Sequence, residues 1–251
     1  MAVTLCRKGR CLLLNVEHIS FSYRKKEVLR DISFTAKEGD FIGIIGKNGC
    51  GKSTLLSVLS GVRQPACGIV SYNGVPLFSS KKSICEQSGS VSSDTAVSAC
   101  TPADIIGYVP QLNPLLPELS VRDNLKLWKR KHSSPDIASD ELFRQLGLTD
   151  IMHTPVAKLS EGLKKRVSIA SVLQNSPKIL ILDEPSAALD LPCKEVIHNQ
   201  LLTFSKNGGI VLFTSHEEAE FSLCTTLYIL KDGSLLQVPN TSDKHTLIQQ
   251  F

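Results

Sequence analysis

The chain has 251 residues, with 28 Lys and Arg against 24 Asp and Glu, and a formal net charge of +4 at pH 7. This length is enough to bury a sizeable core in one large domain or two small ones. The basic residues form only short, scattered runs, so we expect no nucleic-acid partner. No apolar run approaches the ~18 residues of a membrane-spanning helix. The eight cysteines form no C-x-x-C pair, so neither a zinc site nor a redox cluster is predicted.

The first part of the chain is predicted to form β structure. Apolar residues alternate over residues 12–16, 19–23 and 32–36, and residues 37–40 are typical of a turn. Residues 41–45 (FIGII) are a continuous apolar run, as in a parallel strand that is buried on both faces. We therefore expect antiparallel strands that lead into a central strand.

The central strand is followed by the stretch GKNGCGKST at residues 46–54, which fits the phosphate-loop pattern G-x-x-x-x-G-K-[ST]. The glycines let the main chain approach a polyanion without an intervening side chain. Backbone N–H groups of the turn and of the following helix then point at the phosphates. Lys52 adds a mobile positive charge, and the Ser53 hydroxyl can ligate Mg²⁺. The residues predicted to contact nucleotide here are Asn48, Gly49, Cys50, Gly51, Lys52, Ser53 and Thr54.

The segment after the phosphate loop begins in regular structure and then loses its periodicity. Leu55 and Leu59 have helical spacing, and Gly61 is a plausible end for that helix. Residues 68–74 predict a strand that ends in an Asn-Gly turn. Residues 79–103 are Ser-rich with little periodicity, which is typical of a long surface loop or a disordered insertion.

A helical subdomain is predicted for about residues 112–175. One helix begins at Ser120, where Asp123 completes a capping box. A second begins near Ser134, just before a proline, and a third begins at Ser160. The apolar residues of each helix share one face.

Strands flank the helical subdomain on both sides. Residues 105–111 precede it, and the strongly apolar runs 179–182 and 210–214 follow it. A helix over residues 193–206 separates those two runs, as in a βαβ crossover. Residues 227–236 predict a closing hairpin, and the polar residues after it are expected to pack loosely.

Two acids, Asp183 and Glu184, directly follow the apolar run 179–182. A carboxylate at the carboxyl end of a strand, beside a phosphate loop, is where Mg²⁺ must be held. The adjacent Glu184 can orient or deprotonate an attacking water. We therefore interpret this pair as part of a hydrolytic site and not as a solvated turn.

With these acids included, the chain resembles the nucleotide-binding subunit of an ATP-binding cassette (ABC) transporter over about residues 13–236. The resemblance implies an α/β fold: a P-loop NTPase core with a mixed central sheet, an antiparallel β subdomain and a helical subdomain. It also implies that residues 1–251 form a single ABC ATPase domain. The family motifs occur in the family's order: Tyr23, residues 46–54, Gln111, residues 159–163, Asp183 with Glu184, residues 186–190, and His216.

The resemblance assigns roles around ATP and Mg²⁺. Tyr23 would stack on adenine. Ser53, Gln111 and Asp183 would hold Mg²⁺, and Gln111 would also sense the attacking water. The catalytic group would consist of Glu184, His216 and Gln111, with His216 contacting the γ-phosphate and steadying Glu184.

A second cassette is also implied. Ser160 and Gly162 would face the γ-phosphate held by the other subunit, so that two ATP molecules lie between two head-to-tail cassettes. Glu161 and Leu163 depart from the Gly and Gln that many family members have there. The Ser and the second Gly that would contact phosphate are kept, and the partner can be a copy of this chain or a different cassette.

The expected function is that of an ATP-hydrolysing subunit that powers a separate membrane permease. Residues 117–125 resemble exporter-type members most, so export is favoured over import. The expected location is cytoplasmic, peripheral at the inner face of a membrane through the permease. The permease is expected to contact an apolar surface beside Gln111. That surface would consist of Leu112, Leu115, Leu116 and Leu119.

Two alternatives remain at the level of sequence. One is a soluble ABC-type ATPase that acts in assembly or repair without a permease, for which residues 79–103 would be a partner-binding insertion. The other is a module that binds ATP without hydrolysing it, although the presence of Glu184, Gln111 and His216 counts against this. A plain kinase would leave the helical signature region unexplained.

Overall fold

The computed structural model describes residues 13–24, 26–80, 101–130 and 136–238. Its strands form a four-stranded sheet in the order β2-β1-β4-β5 and a six-stranded sheet in the order β10-β9-β3-β8-β7-β6. The strands are β1 (Leu13–Tyr23), β2 (Lys26–Lys37), β3 (Phe41–Ile45), β4 (Cys67–Tyr72), β5 (Val75–Ser79), β6 (Ile106–Val109), β7 (Ile179–Asp183), β8 (Ile210–Thr214), β9 (Thr226–Lys231) and β10 (Ser234–Val238).

The helices lie on and beside these sheets. The α-helices are α1 (Lys52–Leu59), α2 (Pro102–Ile105), α3 (Val121–Trp128), α4 (Asp136–Gln145), α5 (Glu161–Leu173), α6 (Leu191–Lys206) and α7 (Glu218–Phe221). Two short 3₁₀ helices span Thr149–Ile151 and Val156–Lys158. Within the described ranges, no helix is both long enough and apolar enough to cross a membrane.

The four-stranded sheet is antiparallel throughout, because β1 pairs with both β2 and β4, and β4 pairs with β5. The two strands predicted over residues 12–16 and 19–23 are one strand, interrupted by a register shift between Val16 and Ile19. Such a bulge bends a strand without ending it. The predicted Asn73-Gly74 turn is confirmed, since both residues have positive φ angles, 52° and 78°.

The six-stranded sheet is mixed and lies at the centre of the molecule. Strands β3, β6, β7, β8 and β9 run parallel, and β10 closes the sheet as an antiparallel hairpin with β9. Every residue of β3, β7 and β8 is buried. This is why these strands are continuous apolar runs and not alternating ones. The predicted α/β fold with a mixed central sheet is confirmed.

Helices α3, α4 and α5 have a hydrophobic core of their own. Ser120 begins α3 and accepts a hydrogen bond from the backbone N–H of Asp123 at 3.2 Å, as predicted. Leu115, predicted to belong to an exposed surface, is only 9% exposed and packs into this core. The core residues are Leu115, Val121, Leu125, Leu146, Leu148, Val156, Leu159, Val167 and Ala170.

The Ser-rich segment is shorter than its composition indicates. Ser79 pairs with Ile69 in the antiparallel sheet, and Ser80 is buried. At the other end, Thr101 and Asp104 form a capping box that begins α2. Both ends of the predicted 79–103 loop are therefore regular structure: β5 extends to Ser79, and the capping box of Thr101 and Asp104 satisfies backbone groups at the start of α2. Residues 81–100 lie outside the described residues, as do the predicted helix start at Ser134 and the residues after the closing hairpin.

We predict that Asn124→Ala destabilises the fold. Asn124 is fully buried, and its side-chain amide accepts a hydrogen bond from Leu116 N at 2.8 Å and donates to Leu116 O at 3.0 Å. The variant leaves these buried backbone groups unpaired, so the free energy of unfolding in urea should fall by about 1–3 kcal/mol. Lys126→Ala, an exposed change on the same helix, should stay within about 0.5 kcal/mol of the parent. Equal values for the two variants would contradict this.

Candidate active site

The phosphate loop joins β3 to α1 and depends on its glycines. Gly49 and Gly51 have φ angles of 77° and 111°, in the region that L side chains rarely adopt. A Cβ on Gly46 would lie 2.5 Å from the carbonyl oxygen of Leu230, closer than any side chain can approach. Gly51 is the N-cap of α1 and has no side chain, so the first N–H groups of this helix are left for an anion.

Lys52 lies inside the loop and is only 6% exposed. Its Nζ donates hydrogen bonds to Gly46 O at 2.8 Å and to Lys47 O at 3.2 Å. The loop thus folds around its own ammonium group. This arrangement keeps a positive charge within the loop whose N–H groups a phosphate would contact.

The loop also forms one wall of a cavity of about 420 Å³. Its lining includes Lys47 and Cys50 of the loop together with His216 and Asp232. The loop and His216 therefore border the same open volume.

Asp183 ends β7 and is held by the neighbouring strand. The Thr214 hydroxyl donates to Asp183 Oδ1 at 2.7 Å and accepts from the backbone N–H of Glu184 at 3.0 Å. Thr214 is fully buried, and its Cα is the register partner of Asp183 across the β7–β8 pair. Sequence reasoning missed Thr214, and the available signal was its place at the end of the second apolar run.

Glu184 lies between two of the residues predicted to act with it. Its Oε2 accepts a hydrogen bond from Gln111 Nε2 at 2.9 Å, and its Oε1 lies 3.1 Å from His216 Nε2. The backbone of Glu184 is left-handed, with φ at 47°, which costs free energy for a non-glycine residue. Gln111, Glu184 and His216 follow the ends of β6, β7 and β8, so three adjacent strands bring this group together.

Lys165, on α5, is a further charged residue that sequence reasoning missed. It is 5% exposed, and its Nζ donates to Pro110 O at 3.2 Å and to Gln111 O at 3.0 Å. Burial lowers the pKa of Lys165, and the negative charges of Asp183, Glu161 and Glu184 oppose this shift. The sequence signal was a lysine on the apolar face of the helix, in register with Gly162 and Ile169.

Tyr23 lies beside the first turn of α1. Its hydroxyl is 3.4 Å from Thr54 Oγ1, and its ring meets that of Phe21 edge to face, with 4.9 Å between centroids. The guanidinium carbon of Arg63 lies 5.0 Å from the Tyr23 centroid, a cation–π contact that the sequence did not predict. Tyr23 remains 42% exposed, so part of the ring is accessible.

Ser160 and Gly162 lie at the start of α5, and the structure gives them different neighbours. Ser160 Oγ accepts from Leu163 N at 3.3 Å and caps the helix. A Cβ on Gly162 would lie 2.5 Å from Cys193 Sγ on α6, so the two helices touch at this glycine. Among the described residues, the hydrogen bonds of Ser160 and the packing of Gly162 involve α5 and α6, and not this chain's own phosphate loop.

Comparison with known proteins agrees with this geometry. A family model described as ABC transporter matches residues 29–187. The linearmycin resistance ATP-binding protein LnrL of Bacillus subtilis is 30% identical over 237 residues, which cover 92% of this chain and 70% of that protein. The structure of cbiO1 from Clostridium perfringens, part of the ABC transporter complex cbiONQ, has a TM-score of 0.71 and 30% identity. The match covers 90% of this chain and 88% of that one.

Relatives named for opposite directions of transport match about equally well. The Nod factor export ATP-binding protein I of Rhizobium meliloti is 33% identical over 226 residues, covering 88% of this chain and 62% of that protein. The spermidine/putrescine import ATP-binding protein PotA of Mesoplasma florum is 30% identical over 240 residues, covering 92% and 62%. Identity at this level does not separate export from import. The family match and these relatives show that this chain belongs to the ABC transporter family as an ATP-binding domain of the kind that hydrolyses ATP.

Proposed function

We propose that this chain is the ATP-hydrolysing subunit of an exporter, attached to the inner face of a membrane through a separate permease. The observation that supports this most is the placement of Glu184 between Gln111 and His216, at the sheet edge where the phosphate loop also lies. The export direction rests on the resemblance of residues 117–125 to exporters. The direction can be tested in membrane vesicles that contain the co-purified complex with the cassette on the outer face. In such vesicles, an exporter accumulates cargo inside when ATP is added.

ATP would be held mainly through its phosphates. The N–H groups at the start of α1 and the ammonium of Lys52 supply a positive site for the β- and γ-phosphates. To reach them, Lys52 would exchange its bonds to Gly46 O and Lys47 O for bonds to phosphate oxygens. The accessible part of the Tyr23 ring would stack on adenine, with Arg63 steadying that ring.

Mg²⁺ fits the oxygen donors beside this loop. Ser53 offers a hydroxyl, Asp183 a carboxylate and Gln111 an amide oxygen, which are the hard ligands that Mg²⁺ prefers. The Thr214 bond occupies Oδ1 of Asp183 and orients the carboxylate. Among the described residues, no three His, Cys, Asp or Glu side chains form a metal cluster. This agrees with an ion held by few protein groups together with phosphates. When bound, the ion would neutralise charge on the phosphate oxygens.

Glu184 would act as the general base. Its carboxylate is one fifth exposed, at 19%, so a water can reach it, while Gln111 and His216 fix the direction of its two oxygens. A carboxylate held in this way accepts a proton from the water that attacks the γ-phosphate. His216, 43% exposed, lies beside the same cavity as the loop and would contact the γ-phosphate.

A second cassette would complete each site. Ser160 and the N-terminus of α5 form an anion-binding arrangement like that of α1, yet they are not engaged with the loop of the same chain. In a head-to-tail pair they would meet the γ-phosphate of the partner's ATP. The partner can be a copy of this chain or a different cassette.

The permease would bind at a groove between the core and the helical subdomain. The groove has a volume of about 450 Å³, and its lining includes Phe78, Tyr108, Pro114 and Trp128. Leu112 and Leu116, at 85% and 45% exposed, are apolar side chains on the same connection between β6 and α3. Exposed apolar residues beside a groove suit an apolar segment of a membrane protein.

The alternatives have less support. The relatives named above are transporter subunits, which counts against a soluble ATPase of assembly or repair. The positioned Glu184 counts against a module that binds ATP without hydrolysing it, because binding alone does not require an oriented carboxylate.

We predict that Glu184→Gln stops turnover but keeps ATP binding, because only the proton acceptor is lost. The rate of phosphate release should fall about a hundredfold or more, with the Kd for ATP within about twofold of the parent. Lys52→Ala should instead weaken ATP binding. Glu17→Gln is the matched control, because it makes the same change at an exposed position of β1, and it should keep the parent rate. Turnover at the parent rate in Glu184→Gln would rule Glu184 out as the base.

We predict that Glu184→Gln forms a dimer when ATP is present at low salt, because ATP is then trapped between two cassettes. Adding Ser160→Arg should abolish this dimer, since a bulky side chain would occupy the phosphate site. Multi-angle light scattering measures the mass. A dimer that survives Ser160→Arg would show that α5 does not face the nucleotide. A protein that stays monomeric should be retested with the cassette that co-purifies with it.

We predict that Leu112→Glu with Leu116→Glu releases the chain from membranes and spares its intrinsic ATPase activity. Leu115→Glu is the contrasting variant, because Leu115 is part of the helical core and a buried charge there should unfold the subdomain. Membrane fractionation and circular dichroism separate the two effects. Retention of the double variant on membranes would place the permease contact elsewhere.

A further inference from the structure

The buried ammonium of Lys165 has its hydrogen bonds with two consecutive backbone carbonyls. Both acceptors, Pro110 O and Gln111 O, belong to the connection that follows β6. A buried charge is costly unless it is hydrogen-bonded, and a charged donor makes stronger hydrogen bonds than a neutral one. Lys165 therefore joins this connection to α5 through two charge-assisted hydrogen bonds.

The same connection presents its side chain to the proposed base. Gln111 accepts from Lys165 through its backbone oxygen and donates to Glu184 Oε2 through its side chain at 2.9 Å. The backbone position of Gln111 determines where that side-chain amide lies. Lys165 is thus two hydrogen bonds away from the carboxylate of Glu184.

The helix that contains Lys165 also begins at Ser160. Lys165 lies five residues after Ser160, which is about 7.5 Å along a helix at 1.5 Å per residue. An α-helix moves as a rigid rod over this length, so a shift at its N-terminus is also a shift of the Lys165 backbone. One rigid element therefore joins the proposed trans phosphate contact to Gln111.

We propose that Lys165 is a positioning residue that makes Gln111 move together with α5. Contact of Ser160 with the partner's nucleotide would then change the position of the Gln111 side chain beside Glu184 of this chain. The inference rests on the proposed function of Glu184 and Ser160. It assigns to Lys165 a role in turnover, distinct from holding ATP and from holding the fold together. In this role Lys165 acts through Gln111, to whose backbone oxygen it donates.

The first test compares turnover with binding in the full chain. Lys165→Met keeps the length of the side chain and removes its donors, so kcat for ATP hydrolysis should fall about tenfold or more, with the Kd for ATP within about twofold. Lys165→Arg, which keeps charge and donors, should restore at least half of kcat. Lys126→Met, the same change at an exposed lysine of α3, should leave kcat unchanged. An unchanged kcat in Lys165→Met, or a parallel loss of ATP binding, would overturn the proposal.

The second test is a double-mutant cycle with Gln111→Ala. If Lys165 acts through Gln111, the Met substitution should lower kcat by less than about twofold once the Gln111 side chain is gone. The same tenfold loss in both backgrounds would show that Lys165 acts by another route and would overturn the proposal. If Lys165→Met is unfolded by circular dichroism, Lys165→Gln replaces it in both tests, since it removes the charge but keeps a polar side chain of similar shape.

The two proposals fail differently. If Glu184→Gln hydrolyses ATP at the parent rate, the proposed function of Glu184 is wrong. If Glu184→Gln is inactive while Lys165→Met retains the parent kcat, only the role of Lys165 is wrong.

Discussion

The carboxyl edge of the parallel strands is the constraint on which this molecule depends. Strands β3, β6, β7 and β8 run in the same direction, so the segments that follow them all meet at one edge. Those segments contain the phosphate loop, Gln111, Glu184 and His216, which are far apart in the sequence. Full burial of β3, β7 and β8 pins the register of this edge, because sliding one strand would move polar residues such as Asp183 into the apolar interior.

Buried charge is concentrated at this same edge. Lys52, Lys165 and Asp183 are each nearly inaccessible, at 6%, 5% and 4% exposed. Each is hydrogen-bonded: the two lysines to backbone carbonyls, and Asp183 to the Thr214 hydroxyl. Backbone carbonyls neutralise a lysine less completely than a carboxylate does, so these ammonium groups remain sources of positive potential near the phosphate position. Desolvation of these ammonium groups costs free energy, but their positive potential attracts polyphosphate to the site.

Much of this arrangement could be predicted from the sequence, because some residue patterns have few structural solutions. The glycine pattern of the loop is one, since Gly49 and Gly51 have φ angles that other residues rarely adopt. The apolar runs that became β3, β7 and β8 are another. What the sequence did not show was how one element meets another. Thr214 matters because of its register with Asp183, and register is a property of two strands together.

Leu115 and Lys165 both show that the burial of a single residue cannot be predicted from its hydropathy. Leu115 was predicted to belong to an exposed surface and is in the core, whereas Lys165, a charged residue in a short basic run, is buried. Hydropathy assigns each residue to its average environment, whereas tertiary packing decides each case.

The N-termini of α1 and α5, which the proposed function brings to one nucleotide from two cassettes, lie on different parts of this chain. The N-terminus of α5 is fixed by the Ser160 cap and by packing of Gly162 on Cys193 of α6, the helix between β7 and β8. The phosphate loop belongs to the central sheet. Two positive helix N-termini brought together around one empty site in the same chain would repel, whereas a bound polyphosphate between them neutralises both. If a second cassette completes the site as proposed, separate placement of the two termini would make their meeting depend on nucleotide.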